Sequence, residues 1–134
     1  MTFQPKQITH YEATHLAELQ GDVSETAIKY TLGLIPPFSS GDVIHDNACG
    51  AGPVTQAIME LKPPNTTIDA TDINPQFVAG CAALAEKNEW SVTTAVMSAQ
   101  ELTFPAETFT RSFNSFVFHC IGDSQTDAEQ IYRP

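Results

Sequence analysis

The residues with the clearest chemical potential form a glycine-rich turn. Residues 43–55 run from a β-branched stretch through Gly50 and Gly52 to Pro53. Glycines let a backbone approach a ligand closely, and a helix that starts after them points its unpaired amides and the positive end of its dipole at the same space. The turn therefore predicts a nucleotide-type site, although alone it is also compatible with a tight strand-to-helix connection that binds nothing.

One acidic residue strengthens the nucleotide interpretation. Asp72 follows Gly52 by twenty residues and stands at the end of the next β-branched stretch. A carboxylate in this place can accept hydrogen bonds from both hydroxyls of a ribose. The spacing therefore favours a ligand that carries a ribose.

Alternating patterns predict the elements that position these residues. Strands are expected at residues 43–46, 67–71, 91–97 and 110–118, and helices at residues 11–19, 24–34, 53–61, 75–87 and 124–133. Strands that alternate with helices through short connections form a parallel sheet with helices on both faces. The expected class is α/β with a doubly wound parallel sheet, preceded by two N-terminal helices.

Composition excludes several functions. The 134 residues include six Lys or Arg and sixteen Asp or Glu, a net charge of −10, which argues against a nucleic-acid-binding surface. No stretch approaches the roughly 20 apolar residues that span a bilayer, so no membrane association is expected. Three widely spaced cysteines and no signal-like N-terminus favour a cytoplasmic protein. His10 and His15 are poorly spaced for a shared ion, and no metal site is expected.

Four ordered segments resemble a known family. Residues 46–55 resemble the first motif of class I S-adenosylmethionine-dependent methyltransferases, in the order Asp46-x-Ala48-x-Gly50-x-Gly52-x-x-Thr55. Residues 72–77, 98–105 and 109–119 are similar to later segments of that family. The amino-acid sequence of residues 44–50 most closely resembles that of fungal natural-product methyltransferases. A nicotinamide dinucleotide is the alternative ligand, but Thr55 stands where its GxGxxG fingerprint requires the third glycine. The implied cofactor is S-adenosyl-L-methionine, and the implied fold is Rossmann-like.

The resemblance also implies cofactor contacts on the glycine turn. The backbone at Ala48, Gly50 and Gly52 would approach the amino acid part of the cofactor. Asp46 would reach that part through water, and Asn47 is assigned to the same binding site.

Further implied contacts lie on the later segments. Asp72 would hold the ribose hydroxyls, and Ile73 would lie against the adenine. Ser98, where the family often has aspartate, and Ala99 would face the adenine amino group. The remaining assignments are Asn114 near the methionine end, Tyr11 in the N-terminal cover, and His119 as a candidate general base.

The resemblance implies methyl transfer to a small-molecule, natural-product acceptor. Residues 1–40 would form a helical cover, and residues 41–134 an S-adenosylmethionine-binding half domain. The family's sheet has the order 3-2-1-4-5-7-6, and this sequence accounts only for 3-2-1-4, so a truncated or partial domain is expected. Strand four would then be an edge that a second copy or another chain covers. The alternative is a non-catalytic binding or partner module that keeps the fold.

Overall fold

A single parallel sheet positions the candidate site residues that the structure describes. A computed structural model describes residues 25–115 and 124–134 of the chain. The sheet contains four strands, β1 (Val43–Asn47), β2 (Thr67–Asp72), β3 (Val92–Val96) and β4 (Arg111–Asn114). Their order across the sheet is β3-β2-β1-β4, and all the pairings are parallel. The predicted Rossmann-like arrangement is confirmed.

Helices connect and flank the strands. Residues 25–32 are helical (α1), and three further helices follow: α2 (Pro53–Glu60), α3 (Pro75–Lys87) and α4 (Ser124–Tyr132). Both α2 and α3 begin with proline, whose missing amide hydrogen would be unpaired in a first turn anyway. Asn74 caps α3, because its side chain accepts a hydrogen bond of 2.9 Å from the backbone nitrogen of Gln76.

The central strand β1 is buried on both faces. Ile44 packs into an apolar core that includes Ile58, Ile68 and Cys81. On the other face, His45 stacks on Phe109 at 4.8 Å between ring centroids. A strand covered on both faces is typical of a parallel sheet, where helices lie above and below. Because all four strands run in one direction, their carboxyl ends meet at one edge of the sheet, which carries Asn47, Asp72, Val96 and Asn114.

Two of the expected elements lie wholly or partly outside the described residues. The helix expected at residues 11–19 and the last part of the expected fourth strand, residues 116–118, lie outside the described residues. Within the described part, β4 pairs only over Arg111–Asn114. Arg133 fastens the end of α4 to the loop before β4, because its guanidinium donates to the carbonyl oxygens of Leu102 and Phe104.

Candidate functional site

The turn after β1 is held open by three left-handed residues. Ala48, Gly50 and Gly52 have φ values of 53°, 57° and 96°. The backbone nitrogen of Cys49 donates to the carbonyl oxygen of Thr71 at 2.8 Å, which ties the turn to β2. A Cβ built on Gly50 would meet no atom within 4 Å among the described residues. The turn therefore presents exposed backbone on this side, where a ligand can approach.

Gly52 is needed for a different reason. A Cβ at this position would lie 2.9 Å from the Sγ atom of Cys81. The space beside Gly52 is thus filled by α3. Cys49 and Cys81 are both buried. The neighbouring Cys81 thiol and burial raise the pKa of Cys49.

Asp46 braces the same turn from beneath. Its Oδ2 atom accepts hydrogen bonds from the backbone nitrogen of Thr55 at 3.1 Å and from the Thr55 hydroxyl at 2.7 Å. The side chain is 1% exposed, and burial raises its pKa to about 6 against the lowering effect of the Thr55 bonds. Asp46 therefore joins the end of β1 to the first turn of α2.

Asp72 links the two strand ends and faces the turn. Its Oδ2 atom accepts from the backbone nitrogen of Gly50 at 2.9 Å, and its Oδ1 atom accepts from the backbone nitrogen of Asn74 at 2.8 Å. Burial raises its pKa, while these bonds oppose the rise. Each carboxylate oxygen has a second lone pair, so the group can still accept hydrogen bonds from a diol.

Two carboxamides join the carboxyl ends of β1 and β4. Asn47 is the register partner of Asn114, and its Nδ2 atom donates to the Oδ1 atom of Asn114 at 3.1 Å. Asn47 is 1% exposed, and its Oδ1 atom has no hydrogen-bond partner among the described residues. The structure therefore brings Asn47 and Asn114 together and leaves one buried acceptor between β1 and β4.

The residues expected near an adenine follow β2 and β3. Ile73 is 49% exposed, directly after Asp72. The backbone nitrogen of Met97 donates to the carbonyl oxygen of Asp72 at 2.9 Å, so the segment after β3 starts beside Asp72. Ser98 then closes a tight turn by accepting from the backbone nitrogen of Gln100 at 3.2 Å, and Ala99 is half-buried within it.

Comparison with known proteins identifies the family. The model of a family described as "Methyltransferase domain" matches residues 44–133, about two thirds of the chain. This chain belongs to the methyltransferase domain family. No protein of curated function matches its sequence.

Solved structures share the fold at low sequence identity. A SAM-dependent methyltransferase from Aquifex aeolicus has a TM-score of 0.77 and 17% identity, over 92% of this chain and 66% of that one. A complex between the Haloferax volcanii Trm112 methyltransferase activator and a protein named as a methyltransferase gives a TM-score of 0.77 and 19% identity, over 90% of this chain and 52% of that one.

A third neighbour was solved with two small molecules. Phosphoethanolamine N-methyltransferase 1 from Haemonchus contortus, in complex with phosphoethanolamine and S-adenosylhomocysteine, gives a TM-score of 0.58 and 15% identity. The match covers 69% of this chain and 19% of that one. Among the first solved structures that match, this chain spans 46% to 66% of their length.

The cofactor of this methyltransferase domain is S-adenosylmethionine, and the turn fits it. The open side of Gly50 leaves room for a ligand beside the backbone, and Asp72 carries free lone pairs at the same strand edge. The Asp72 carboxylate and the open turn are therefore suited to a ligand that carries hydroxyl groups.

Some expectations lie beyond the described part of the chain, and some residues were missed. Tyr11 and His119 lie outside the described residues. His45 was not singled out, although it is fully buried, contacts Phe104 and Phe109, and has its pKa lowered to about 4 by burial. Its place in β1 gives no signal in the sequence, because its aromatic neighbours come from a loop about sixty residues later.

Neither a metal site nor a membrane-spanning helix is found among the described residues. No group of three or more His, Cys, Asp or Glu side chains in the described ranges is arranged to hold a metal ion. None of the helices within those ranges is both long enough and apolar enough to cross a membrane.

Proposed function

We propose that this chain binds S-adenosylmethionine across the carboxyl ends of β1, β2 and β4 and transfers its methyl group to a small-molecule acceptor. The observation that carries the proposal is the carboxylate of Asp72, braced by the backbone nitrogens of Gly50 and Asn74 beside an open glycine turn. A carboxylate fixed in this way can accept both ribose hydroxyls without rearranging.

The other contacts follow from the neighbouring segments. In this proposal, Ile73 packs on the adenine, and Ser98 and Ala99 face its amino group. The backbone at Ala48 and Gly50 contacts the amino acid part, and Asp46 holds the turn in shape through Thr55. Gly52 contributes by allowing α3 to approach the turn.

Methyl transfer from this cofactor requires few catalytic groups from the protein. When bound, S-adenosylmethionine would supply a methyl group on its sulfonium to an acceptor oxygen, nitrogen or carbon atom, with S-adenosylhomocysteine as the leaving group. The chain's own residues have to align the acceptor and exclude water, and a base is needed only for a poorly ionised acceptor. In this proposal, His119 would be that base and Tyr11 would close over the cofactor.

The acceptor is proposed to be a small natural product. A solved neighbour with phosphoethanolamine supports a small-molecule acceptor, at the level of the shared fold. The methyltransferase family match favours an enzyme over a non-catalytic partner module. Residues 1–40 would cover the site, residues 41–134 would form a partial cofactor-binding domain, and the protein would act in the cytoplasm.

A partner along β4 belongs to the same proposal. In the described sheet β4 is an edge strand, and an open depression of about 250 Å³ lies beside it. The depression is lined by Phe109, Thr110, Arg111, Ser112, Ile131, Tyr132 and Pro134. A second copy or another chain would cover this edge, and the Haloferax volcanii complex offers a precedent for an added chain. Sedimentation at micromolar concentration tests this, because a lone 14.6 kDa species would contradict self-association.

Calorimetric titration with S-adenosylhomocysteine tests the binding site. Asp72→Ala removes the acceptor for two hydroxyls, and we expect the affinity to fall about ten- to a hundredfold, or about 1.5 to 3 kcal/mol. Asp69→Ala is the matched control, because Asp69 lies in the same strand but not at its end. Equal affinities for wild type and Asp72→Ala would contradict the proposed site.

A further inference from the structure

Two cysteines from different elements meet beneath the glycine turn. Cys49 lies in the turn after β1, and Cys81 lies in α3. Gly52 touches both, because its backbone nitrogen donates to the carbonyl oxygen of Cys49 at 3.0 Å and a Cβ built on it would lie 2.9 Å from the Cys81 Sγ atom. Both cysteines are free thiols and belong to one buried apolar cluster. The fold therefore brings together two thiols that the proposed methyl transfer does not use.

The two thiols differ in reactivity. The Cys49 thiol holds the pKa of Cys81 below its usual value, an effect that burial opposes and the Thr55 hydroxyl supports. The neighbouring Cys81 thiol and burial raise the pKa of Cys49. The thiolate is the nucleophilic form of cysteine, so Cys81 is the sulfur that reacts first and Cys49 is the sulfur that follows.

We propose that Cys49 and Cys81 are a redox pair, which a hydroperoxide converts to a disulfide that pulls the turn towards α3 and weakens cofactor binding. The effect on binding rests on the proposed function. The formation of the disulfide depends only on the two thiols and the fold that places them.

The oxidation proceeds in two steps. The Cys81 sulfur attacks one oxygen of hydrogen peroxide, the O–O bond breaks, and the departing hydroxide takes up the thiol proton to form water. The Cys49 sulfur then attacks the sulfenic sulfur of Cys81, an S–S bond forms, and the hydroxyl group leaves with the Cys49 proton as a second water. The two thiols lose two electrons, which reduce the peroxide. Because both sulfurs are buried, a local opening of the turn has to admit the oxidant, and hydrogen peroxide is small enough to enter.

A disulfide would displace the turn. An S–S bond is about 2 Å long, much shorter than a contact between unbonded sulfur atoms. Cys81 is held within a helix of 13 residues, whereas Cys49 lies in an irregular turn, so Cys49 has to move more. The backbone nitrogen of the next residue, Gly50, donates to the Oδ2 atom of Asp72 at 2.9 Å. Movement of Cys49 therefore disturbs the hydrogen bond that braces the proposed ribose acceptor.

Peptide mapping tests the disulfide without any cofactor. Trypsin leaves Cys49 and Cys81 in one peptide, residues 30–87, because Lys62 is followed by proline, and it leaves Cys120 in residues 112–134. After the folded chain is treated with hydrogen peroxide and alkylated in urea, we expect peptide 30–87 to carry no alkyl group and to be lighter by two hydrogen atoms. Dithiothreitol should restore alkylation at both cysteines. Two alkylated cysteines in this peptide after peroxide, or a bond to residues 112–134, would overturn the pair.

The unfolded chain is the control for the effect of the fold. Peroxide treatment in urea should give a mixture of the three possible pairings among Cys49, Cys81 and Cys120. Cys120→Ser, treated in the folded state, should form the same disulfide as wild type. An equal yield of the bond between Cys49 and Cys81 from folded and unfolded wild type would contradict a pair that the fold creates.

Calorimetry with S-adenosylhomocysteine tests the effect on binding. We expect the disulfide form to bind about tenfold more weakly than the reduced form and to recover in dithiothreitol. Cys81→Ala cannot form the bond, so its affinity should be the same before and after peroxide. An equal loss in this variant would contradict the inference, since it would come from oxidation elsewhere. A wild-type loss that dithiothreitol does not reverse would contradict it as well, and that measurement requires no variant.

The outcomes distinguish the inference from the proposed function. Reduced wild-type protein that binds no S-adenosylhomocysteine overturns the proposed function, and peptide 30–87 still decides whether the disulfide forms. A disulfide that forms without a change in affinity overturns its effect on the turn. Absence of the disulfide from the peroxide-treated folded chain, beside normal binding, overturns the inference and leaves the proposed function intact.

Discussion

The two crevices beside β1 at the carboxyl edge of the sheet differ in how their polar groups are paired. Between β1 and β2, both carboxylate oxygens of Asp72 accept backbone hydrogen bonds from the protein. Between β1 and β4, the Oδ1 atom of Asn47 has no partner among the described residues. The first crevice is thus built, because the protein itself holds its carboxylate, whereas the second is incomplete, because one of its buried acceptors is unpaired. Preorganised groups reduce the cost of binding.

The largest expected effect comes from a substitution in the built crevice, at Gly52. Gly52→Val places a side chain against the Cys81 Sγ atom at a φ of 96°, where branched residues are strained. We expect loss of measurable S-adenosylhomocysteine binding and destabilisation of about 3 kcal/mol or more in urea unfolding.

Gly41→Ala is the control that separates backbone strain at a positive φ from the steric clash with Cys81. Gly41 has a φ of 88°, but a Cβ there would meet no atom within 4 Å among the described residues. Its substitution should cost about 1 kcal/mol and leave the affinity unchanged. Equal losses of unfolding free energy in the two variants, with S-adenosylhomocysteine still bound by Gly52→Val, would contradict the idea that close packing of Gly52 on Cys81 of α3 shapes the turn.

The two faces of β1 should respond to pH in opposite directions. The pKa of Asp46 is raised to about 6, so the folded state holds more protons than the unfolded state between about pH 4 and 6, and Asp46 lowers stability as pH rises. The pKa of His45 is lowered to about 4, so the unfolded state holds more protons up to about pH 6.5, and His45 raises stability as pH rises.

Single substitutions should reveal each slope. Asp46→Asn keeps an acceptor for Thr55 and removes the charge, so its stability should rise from pH 4 to 6 more steeply than that of wild type, by about 2 kcal/mol. His45→Phe should show the opposite deviation. Urea unfolding at pH 4, 5, 6 and 7 measures both, and parallel profiles for all three proteins would refute the assignment of these buried charges.

The smallest expected effect lies at the other edge of the sheet. Arg111 begins β4, and its guanidinium donates to the carbonyl oxygens of Pro36 and Pro37, pairs with Asp42 at 3.3 Å and lies over the ring of Phe38. We expect Arg111→Gln to lower Tm by about 5 °C through loss of these contacts, without a change in S-adenosylhomocysteine affinity.

An exposed ion pair supplies the control for that prediction. Lys29 and Glu25 pair at 2.7 Å on the solvent face of α1, and Lys29→Gln should leave Tm unchanged within error. A loss of cofactor affinity in Arg111→Gln would mean that the amino ends of the strands help to set the site, which the comparison of the two crevices does not predict.

The built crevice could be predicted from the sequence, and the incomplete one could not. Gly50, Gly52 and Asp72 form a local pattern whose spacing follows from one strand-turn-helix-strand unit. The strand order was predicted from the resemblance to the methyltransferase family rather than from this local pattern. The contact between Asn47 and Asn114 joins residues 67 positions apart, and an unpaired atom leaves no trace in a sequence pattern.

The packing at Gly52 could not be predicted from the sequence for a related reason. The sequence places Gly52 beside a ligand, but it does not show that Cys81, from the next helix, fills the adjoining space. Packing between elements depends on their relative placement in three dimensions, which periodicity does not encode. The burial of His45 among Phe104 and Phe109 was missed for the same cause.

Backbone NMR of the 134-residue chain during titration with S-adenosylhomocysteine tests the central claim most directly. The account predicts that the amide resonances of Gly50, Ile73 and Asn114, at the carboxyl ends of the strands, shift together and saturate at one affinity. Those of Val43 and Arg111, at the opposite edge of the sheet, should remain unchanged. Shifts confined to the amino edge, or no shifts at saturating ligand, would contradict a cofactor site at the carboxyl ends of β1, β2 and β4.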